Sequence, residues 1–215
     1  MPDTGHTERK SSQAQFDWQD PLRFEDQLSE EERMIRDAAR AYAQDKLMPR
    51  VKMAFREEKF DVAVMREMGA LGFLGSTLTG YGCAGTSYVA YGLIAHELEK
   101  VDSAYRSSLS VQSSLTMYPI HAFGTAAQKE KYLPRRASGD WIAAYALSES
   151  SSGSDAMNIR TQAKLSPDGK HYVLNGEKMW ISNAAIADLF IVFAKIDGEK
   201  FSAFLIEADT PGLTV

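Results

Sequence analysis

Residues 145–155 read Tyr-Ala-Leu-Ser-Glu-Ser-Ser-Ser-Gly-Ser-Asp, an apolar strand that opens into a hydroxyl-rich loop containing one glycine. Such a loop clusters backbone N–H groups and hydroxyls, which suits a phosphate or the pyrimidine edge of a flavin. Farther along, Trp180-Ile181-Ser182 sets an aromatic face beside another hydroxyl. A ligand able to use both elements is flat, polar at its edge and joined to a pyrophosphate. A serine- and glycine-rich loop alone is most often a solvated turn. The specificity of the signal lies in the two elements occurring together.

The elements that must position these groups are strands. Residues 141–147 and 161–165 read as strands, and Ser166-Pro167-Asp168-Gly169 as a hairpin turn before a strand at 172–174. Asn175-Gly176 predicts a two-residue hairpin turn leading into a strand at 178–182. Residues 189–195 and 201–206 form a further hairpin around Asp197-Gly198. Upstream the pattern is helical. Ser29 followed by Glu32 is a capping box that opens a helix to about Leu47, stopped by Pro49, with Ile35, Ala38, Ala39, Tyr42 and Leu47 inward. Further helices are expected near 61–71, 87–101, 104–115, 120–123 and 126–135, after a glycine-rich loop at 80–85. The serines of 104–115 make a poor helix unless packing or ligand contacts hold them. Residues 1–15 read as a disordered tail, and Phe16-Asp17-Trp18 through Leu22 as a turn tucked against the body. The expected fold is α+β: an all-helical domain over 16–139, then a partial β-barrel domain over 140–215. Because the chain reaches Val215 just as another strand begins, it reads as the front part of a longer protein.

Composition narrows the partners. A 215-residue chain that is 44 % hydrophobic and 25 % charged can bury an ample core. Its net charge of −5 argues against nucleic acid, which needs a basic surface. The single cysteine, Cys83, forms no internal disulfide, and the four histidines lack metal-ligand spacing. No apolar run approaches the ~18–20 residues that span a bilayer, so no membrane role is expected. The N-terminus lacks a signal-peptide core, which fits a bacterial cytoplasm, or a mitochondrial matrix in a eukaryote.

The ten residues 146–155, with Trp180-Ile181-Ser182 in register, resemble the flavin-binding signature of the acyl-CoA dehydrogenase family. All 215 residues fit that family's N-terminal helical and middle β-domains, roughly the first half of a complete member. The front half is similar to glutaryl-CoA dehydrogenases in residues 16–22, 47–50, 80–85, 101–107 and 110–115. The back half is more similar to bacterial straight-chain members. Ser148 and Ser182 stand where the family often carries threonine, which keeps the hydroxyl, and Ser150 stands where many members have proline.

The resemblance implies FAD as cofactor, an acyl-CoA substrate, an electron-transfer flavoprotein as electron acceptor, and a homo-oligomer in the full-length form. It places Tyr145, Leu147, Ser148, Gly153, Ser154, Trp180, Ile181 and Ser182 at the flavin. Ser148 would donate to its pyrimidine end, and Ser182 would sit near N5. Ser154 would contact the pyrophosphate or the substrate's pantetheine arm. Arg106, Ser107 and Ser110 would face the distal carboxylate of a glutaryl chain; Arg binds carboxylate with two hydrogen bonds, and residues 106 and 110 share a helix face. Glu149 and Asp155 read as structural. The family's general base is a C-terminal glutamate, so no catalytic residue is assigned and the chain alone is expected to be inactive. An acyl-CoA oxidase or flavin monooxygenase of the same fold, or a non-catalytic flavin- or acyl-CoA-binding module, are the alternatives.

Overall fold

A computed structural model describes residues 16–215. The predicted tail at 1–15 lies outside the described residues. Phe16, Trp18 and Leu22 are exposed and do not tuck against the body as expected; Phe16 and Trp18 pack edge-to-face on each other instead.

Helix α1 (Glu30–Tyr42) starts where the capping box requires. Ser29 Oγ accepts from Glu32 N–H, and Glu32 Oε2 accepts from Ser29 N–H. The helix does not stop at Pro49. A π-helical stretch, Ala43–Leu47, joins it to α2 (Met48–Glu57), with Pro49 in the first turn of α2. Proline lacks an N–H and its ring crowds the carbonyl four residues back. Widening the helix so that Met48 N–H bonds to Ala43 O relieves that crowding and lets the chain continue.

The same device recurs. After α3 (Ala63–Ala70), the ribbon of β1 (Thr79–Gly80) and β2 (Cys83–Ala84), and α4 (Tyr88–Glu99), α5 spans Ser103–Ser110. A second π-helical stretch, Val111–Met117, then leads into α6 (Tyr118–Phe123), which carries Pro119 in its first turn. The helix expected over 104–115 is therefore split at 110, and Ser108 and Ser113 are buried within it. Helix α7 (Ala126–Ala137) opens on a second capping box, Thr125 with Gln128.

The strand-rich part is one five-stranded mixed sheet built around β6 (Leu189–Ile196). Strand β3 (Ala143–Ala146) runs parallel to the first half of β6, and β4 (Gln162–Leu165) parallel to its end. β7 (Lys200–Glu207) pairs antiparallel along all of β6, and β5 (Tyr172–Asn175) forms a hairpin with β4. The buried run Leu189–Val192 suits a central strand covered on both faces. The strand expected at 178–182 does not form. β5 ends at Asn175, and residues 176–182 run irregularly.

Gln112, in the second π-helical stretch, joins helices to sheet. Its Nε2 donates to Trp141 O at 2.7 Å and to Arg136 O at 3.2 Å, and its Oε1 accepts from Ala143 N–H at 2.9 Å. Beside it Arg136 is fully buried, donating from Nη1 to Thr116 Oγ1 at 3.1 Å, with Nε and Nη2 unpartnered among the described residues. Burial lowers its pKa to about 9, against the opposing pull of Asp188.

Candidate functional site

The hydroxyl loop leaves the end of β3. Glu149 N–H donates to Ser152 O and Ser152 N–H to Glu149 O, at 2.9 and 3.2 Å, while Ser152 Oγ donates to Asp155 O at 2.6 Å. The Glu149 carboxylate turns inward. Oε1 accepts from Thr161 N–H, Thr161 Oγ1 and Lys178 Nζ at 3.0, 2.5 and 2.8 Å, and Oε2 accepts from Arg160 N–H at 2.6 Å. Burial alone would raise its pKa. The Lys178 ammonium, the Thr161 hydroxyl and the two N–H groups outweigh that and hold it at about 2.

Residues 176–182 lie along this loop although they form no strand. Met179 N–H donates to Ser148 O at 2.9 Å, and Lys178 Nζ to Leu147 O at 2.9 Å. Trp180 then takes a left-handed backbone, φ 56°, and its ring is 90 % exposed. A bulky residue is an outlier in that region, at a cost of ~1–2 kcal/mol. Asn183, also left-handed at φ 68°, anchors the turn by donating from Nδ2 to Ala143 O at 3.2 Å. A large aromatic that is both strained and solvent-facing adds little to the core, and its surroundings hold it in that conformation.

The predicted residues separate by role. Tyr145 is half-buried against Phe193, ring centroids 4.9 Å apart, and burial raises its hydroxyl pKa. Ile181 packs beneath the sheet's small cluster of Ala144, Ala146, Phe190 and Val192. Leu147 and Ser148 are half-buried, while Ser154 and Ser182 are exposed. At Gly153 no heavy atom of the described residues, chain neighbours aside, lies within 4 Å of where a Cβ would sit.

Across from this turn, α5 forms the other wall of a cleft of about 320 Å³. Ser107 and Ser108 line one side and Ser182, Asn183 and Ile186 the other, with Phe60 and Ala104. The cleft brings Ser107 of the second predicted group against Ser182 of the first. Ser110 lies one turn farther on, half-buried, and does not line it. Arg106 does not line it either: its Nε donates to Glu99 Oε2 at 2.6 Å, and both side chains are more than a third exposed. No carboxylate lines the cleft among the described residues. A separate groove of about 500 Å³ runs over the outer face of β4 and β5, and no predicted site residue lines it.

Sequence reasoning missed Lys178, Glu99 and Gln112. The signal for Lys178 was weak, because it sits in the polar run Asn175-Gly176-Glu177 before Met179 and Trp180, and its partner acid lies 29 residues upstream. Glu99 is an acid two helical turns before Arg106, but the break at Val101-Asp102 hides the pairing. No group of three or more potential metal ligands occurs among the described residues.

Models of the acyl-CoA dehydrogenase N-terminal domain and middle domain match residues 29–140 and 144–215. The chain belongs to the acyl-CoA dehydrogenase family. A probable acyl-CoA dehydrogenase of Bacillus subtilis (strain 168) is 38 % identical over 91 % of this chain and 33 % of its own length. The crystal structure of a glutaryl-CoA dehydrogenase from Mycobacterium smegmatis in complex with FADH2 is 42 % identical, with a TM-score of 0.85 over 88 % of this chain and 48 % of that one. A structure described as an electron transferring flavoprotein of Acidaminococcus fermentans is 38 % identical, with a TM-score of 0.81 over 86 % of this chain and 50 % of that one. The chain thus spans a third to a half of the length of these relatives. The helical front and sheet-containing back expected from sequence are the family's fold. No helix among the described residues is long and apolar enough to cross a membrane.

Proposed function

We propose that this chain carries the flavin platform and one wall of the acyl pocket of an FAD-dependent acyl-CoA dehydrogenase, with glutaryl-CoA as the favoured substrate. The observation that carries the reading is the cleft in which Ser107 of α5 meets Ser182 beside the exposed Trp180. The donor set fits a flavin. It combines one solvent-facing aromatic plane, hydroxyls at Ser148, Ser154 and Ser182, and a glycine loop that backbone N–H groups and a phosphate can share.

FAD, when bound, supplies the acceptor for the hydride leaving the substrate's Cβ. The chain's own part is to bind and orient. Ser148 and Ser182 would hydrogen-bond the ring, Trp180 would pack near it, and Gly153 and Ser154 would meet the pyrophosphate or the pantetheine arm. Ser107 and Ser110 would line the acyl side, with Arg106 available to a distal carboxylate once it releases Glu99. Loss of CO2 would follow with a glutaryl chain, and an electron-transfer flavoprotein would take the electrons. A homo-oligomer is the proposed assembly of the full-length form.

The α-proton needs a carboxylate, and none lines the cleft among the described residues. We therefore expect little turnover from these 215 residues alone. The same lack of a carboxylate favours one second reading, a module that binds FAD or acyl-CoA without turnover. The test is the visible spectrum of purified chain incubated with excess FAD and desalted. A retained flavin band, perturbed more by glutaryl-CoA than by butyryl-CoA, is the expected result. A folded but colourless chain would refute a cofactor site built by these residues alone, and steady acyl-CoA turnover would refute the inactivity.

A further inference from the structure

Ser148 and Trp180 reach the platform from segments far apart in sequence, and something must fix their separation. Lys178 is the residue that spans them. Its ammonium donates to Leu147 O at 2.9 Å and to Glu149 Oε1 at 2.8 Å, so it grips the two residues that flank Ser148. The next amide, Met179 N–H, holds Ser148's own carbonyl at 2.9 Å. Trp180 follows directly, in a backbone conformation it would not adopt unaided.

Both members of the ion pair are nearly inaccessible, with side chains 10 % and 5 % exposed. The Glu149 carboxylate is further tied to the start of β4 through Arg160 N–H and Thr161. A buried ion pair is a poor source of stability, since apolar residues of the same shape commonly serve as well or better; its best-attested use is to specify one geometry among several. Here the bonds hold Leu147, Ser148 and Glu149 in turn, and so bracket Ser148, whose hydroxyl the proposed function assigns to the flavin platform.

We propose that Lys178 and Glu149 are a positioning pair, a buried clamp that sets the spacing of Ser148 and Trp180 so that the flavin platform is assembled before the cofactor arrives. The inference rests on the reading of these residues as a flavin site. Neither side chain touches the ligand in this account; each acts through Ser148 and Trp180. Removing such supporting partners costs ~10–100-fold in affinity at metal sites, and a loss of that order is expected for FAD.

The test uses the 215-residue chain and two variants, Lys178→Met and Glu149→Gln, each first checked for native helical circular dichroism. Two quantities are read: hydrogen exchange of the Met179 amide without cofactor, and the FAD dissociation constant together with the shape of the bound flavin's visible band. In Lys178→Met the Met179 amide should exchange at least ~10-fold faster while α5 and α7 amides keep their rates. FAD should bind ~10–100-fold more weakly, with an altered band. Glu149→Gln keeps the side chain's shape and one acceptor oxygen but removes the charge and the second acceptor, and should shift both readouts in the same direction by less. It also supplies the answer if Lys178→Met does not fold. Unchanged exchange at Met179 overturns the clamp, and so does faster exchange with unchanged FAD affinity and spectrum. If the parent chain takes up no FAD, the cofactor reading of this chain fails instead. The exchange arm then decides the clamp by itself: acceleration confined to Met179 and its neighbours sustains it, and no acceleration overturns it.

Discussion

The seam beneath the site and the rim around it both carry polar side chains, yet these behave oppositely. In the seam, Gln112 and Glu149 are buried and bonded to several partners each, and their partners are mostly backbone groups. At the rim, Ser154, Ser182 and Trp180 face solvent, and Arg106 pairs with Glu99, both more than a third exposed. Burial decides which polar groups are scaffold and which are free for a ligand. A buried donor left unpaired costs ~1–3 kcal/mol, which favours using seam residues up within the fold; Arg136, with Nε and Nη2 unpartnered among the described residues, is the exception. A rim residue loses little by waiting, because water satisfies it.

The contrast breaks most sharply at Gln112. Gln112→Leu would leave Trp141 O, Arg136 O and Ala143 N–H without that partner in the interior. We expect a loss of about 3 kcal/mol or more, read as a lowered urea midpoint. A change below about 1 kcal/mol would mean that water or a local shift replaces the amide.

Acid sharpens the comparison next. Glu149's pKa falls from the usual 4.5 to about 2 on folding, so its stabilising effect is complete above 4.5 and is lost as pH drops through 4.5 towards 2. Urea midpoints should therefore decline across that window in the parent, and Glu149→Gln should flatten the decline. An identical acid limb in both proteins would place the loss in other carboxylates.

At the rim, Trp180→Gly should act in the opposite sense on stability and on function. Glycine accepts φ 56° without the Cβ penalty, and the lost ring was exposed. The cofactor-free chain should gain about 0.5–1 kcal/mol in thermal or urea unfolding, while flavin retention falls. A destabilised variant would show that the ring supports the fold after all.

The smallest effect belongs to Glu99→Gln. An exposed pair of this kind is worth ~0–1 kcal/mol, so unfolding should move by less than about 0.5 kcal/mol. A larger loss would transfer Glu99 and Arg106 from the rim to the scaffold.

Much of the fold was legible because it is encoded over three or four residues. The Ser29–Glu32 capping box, the turn at Ser166–Gly169 and the Asp197-Gly198 hairpin all rest on local bonds, and each stands where the residues predict it. Pro49 misled for a local reason of another kind. Pro49 was read as a stop, but a π-helical turn upstream absorbs both its missing donor and its bulk, and the same turn precedes Pro119. Asn175-Gly176 carries a hairpin signal, yet Gly176 at φ 156° lies against Thr161, where a Cβ would sit 2.4 Å from the hydroxyl oxygen; the chain leaves the sheet there.

For the candidate site, sequence determined the inventory: an aromatic, several hydroxyls and a glycine loop in a recognisable order. Only the tertiary structure decided which of them face a cleft together and which polar residues hold them there. Lys178 and Leu147 are 31 residues apart, and Gln112 and Arg136 are 24 apart. A local pattern reports propensity and period along one segment. Contacts across such distances depend on which faces of two finished elements meet, and that is set by the packing of the whole.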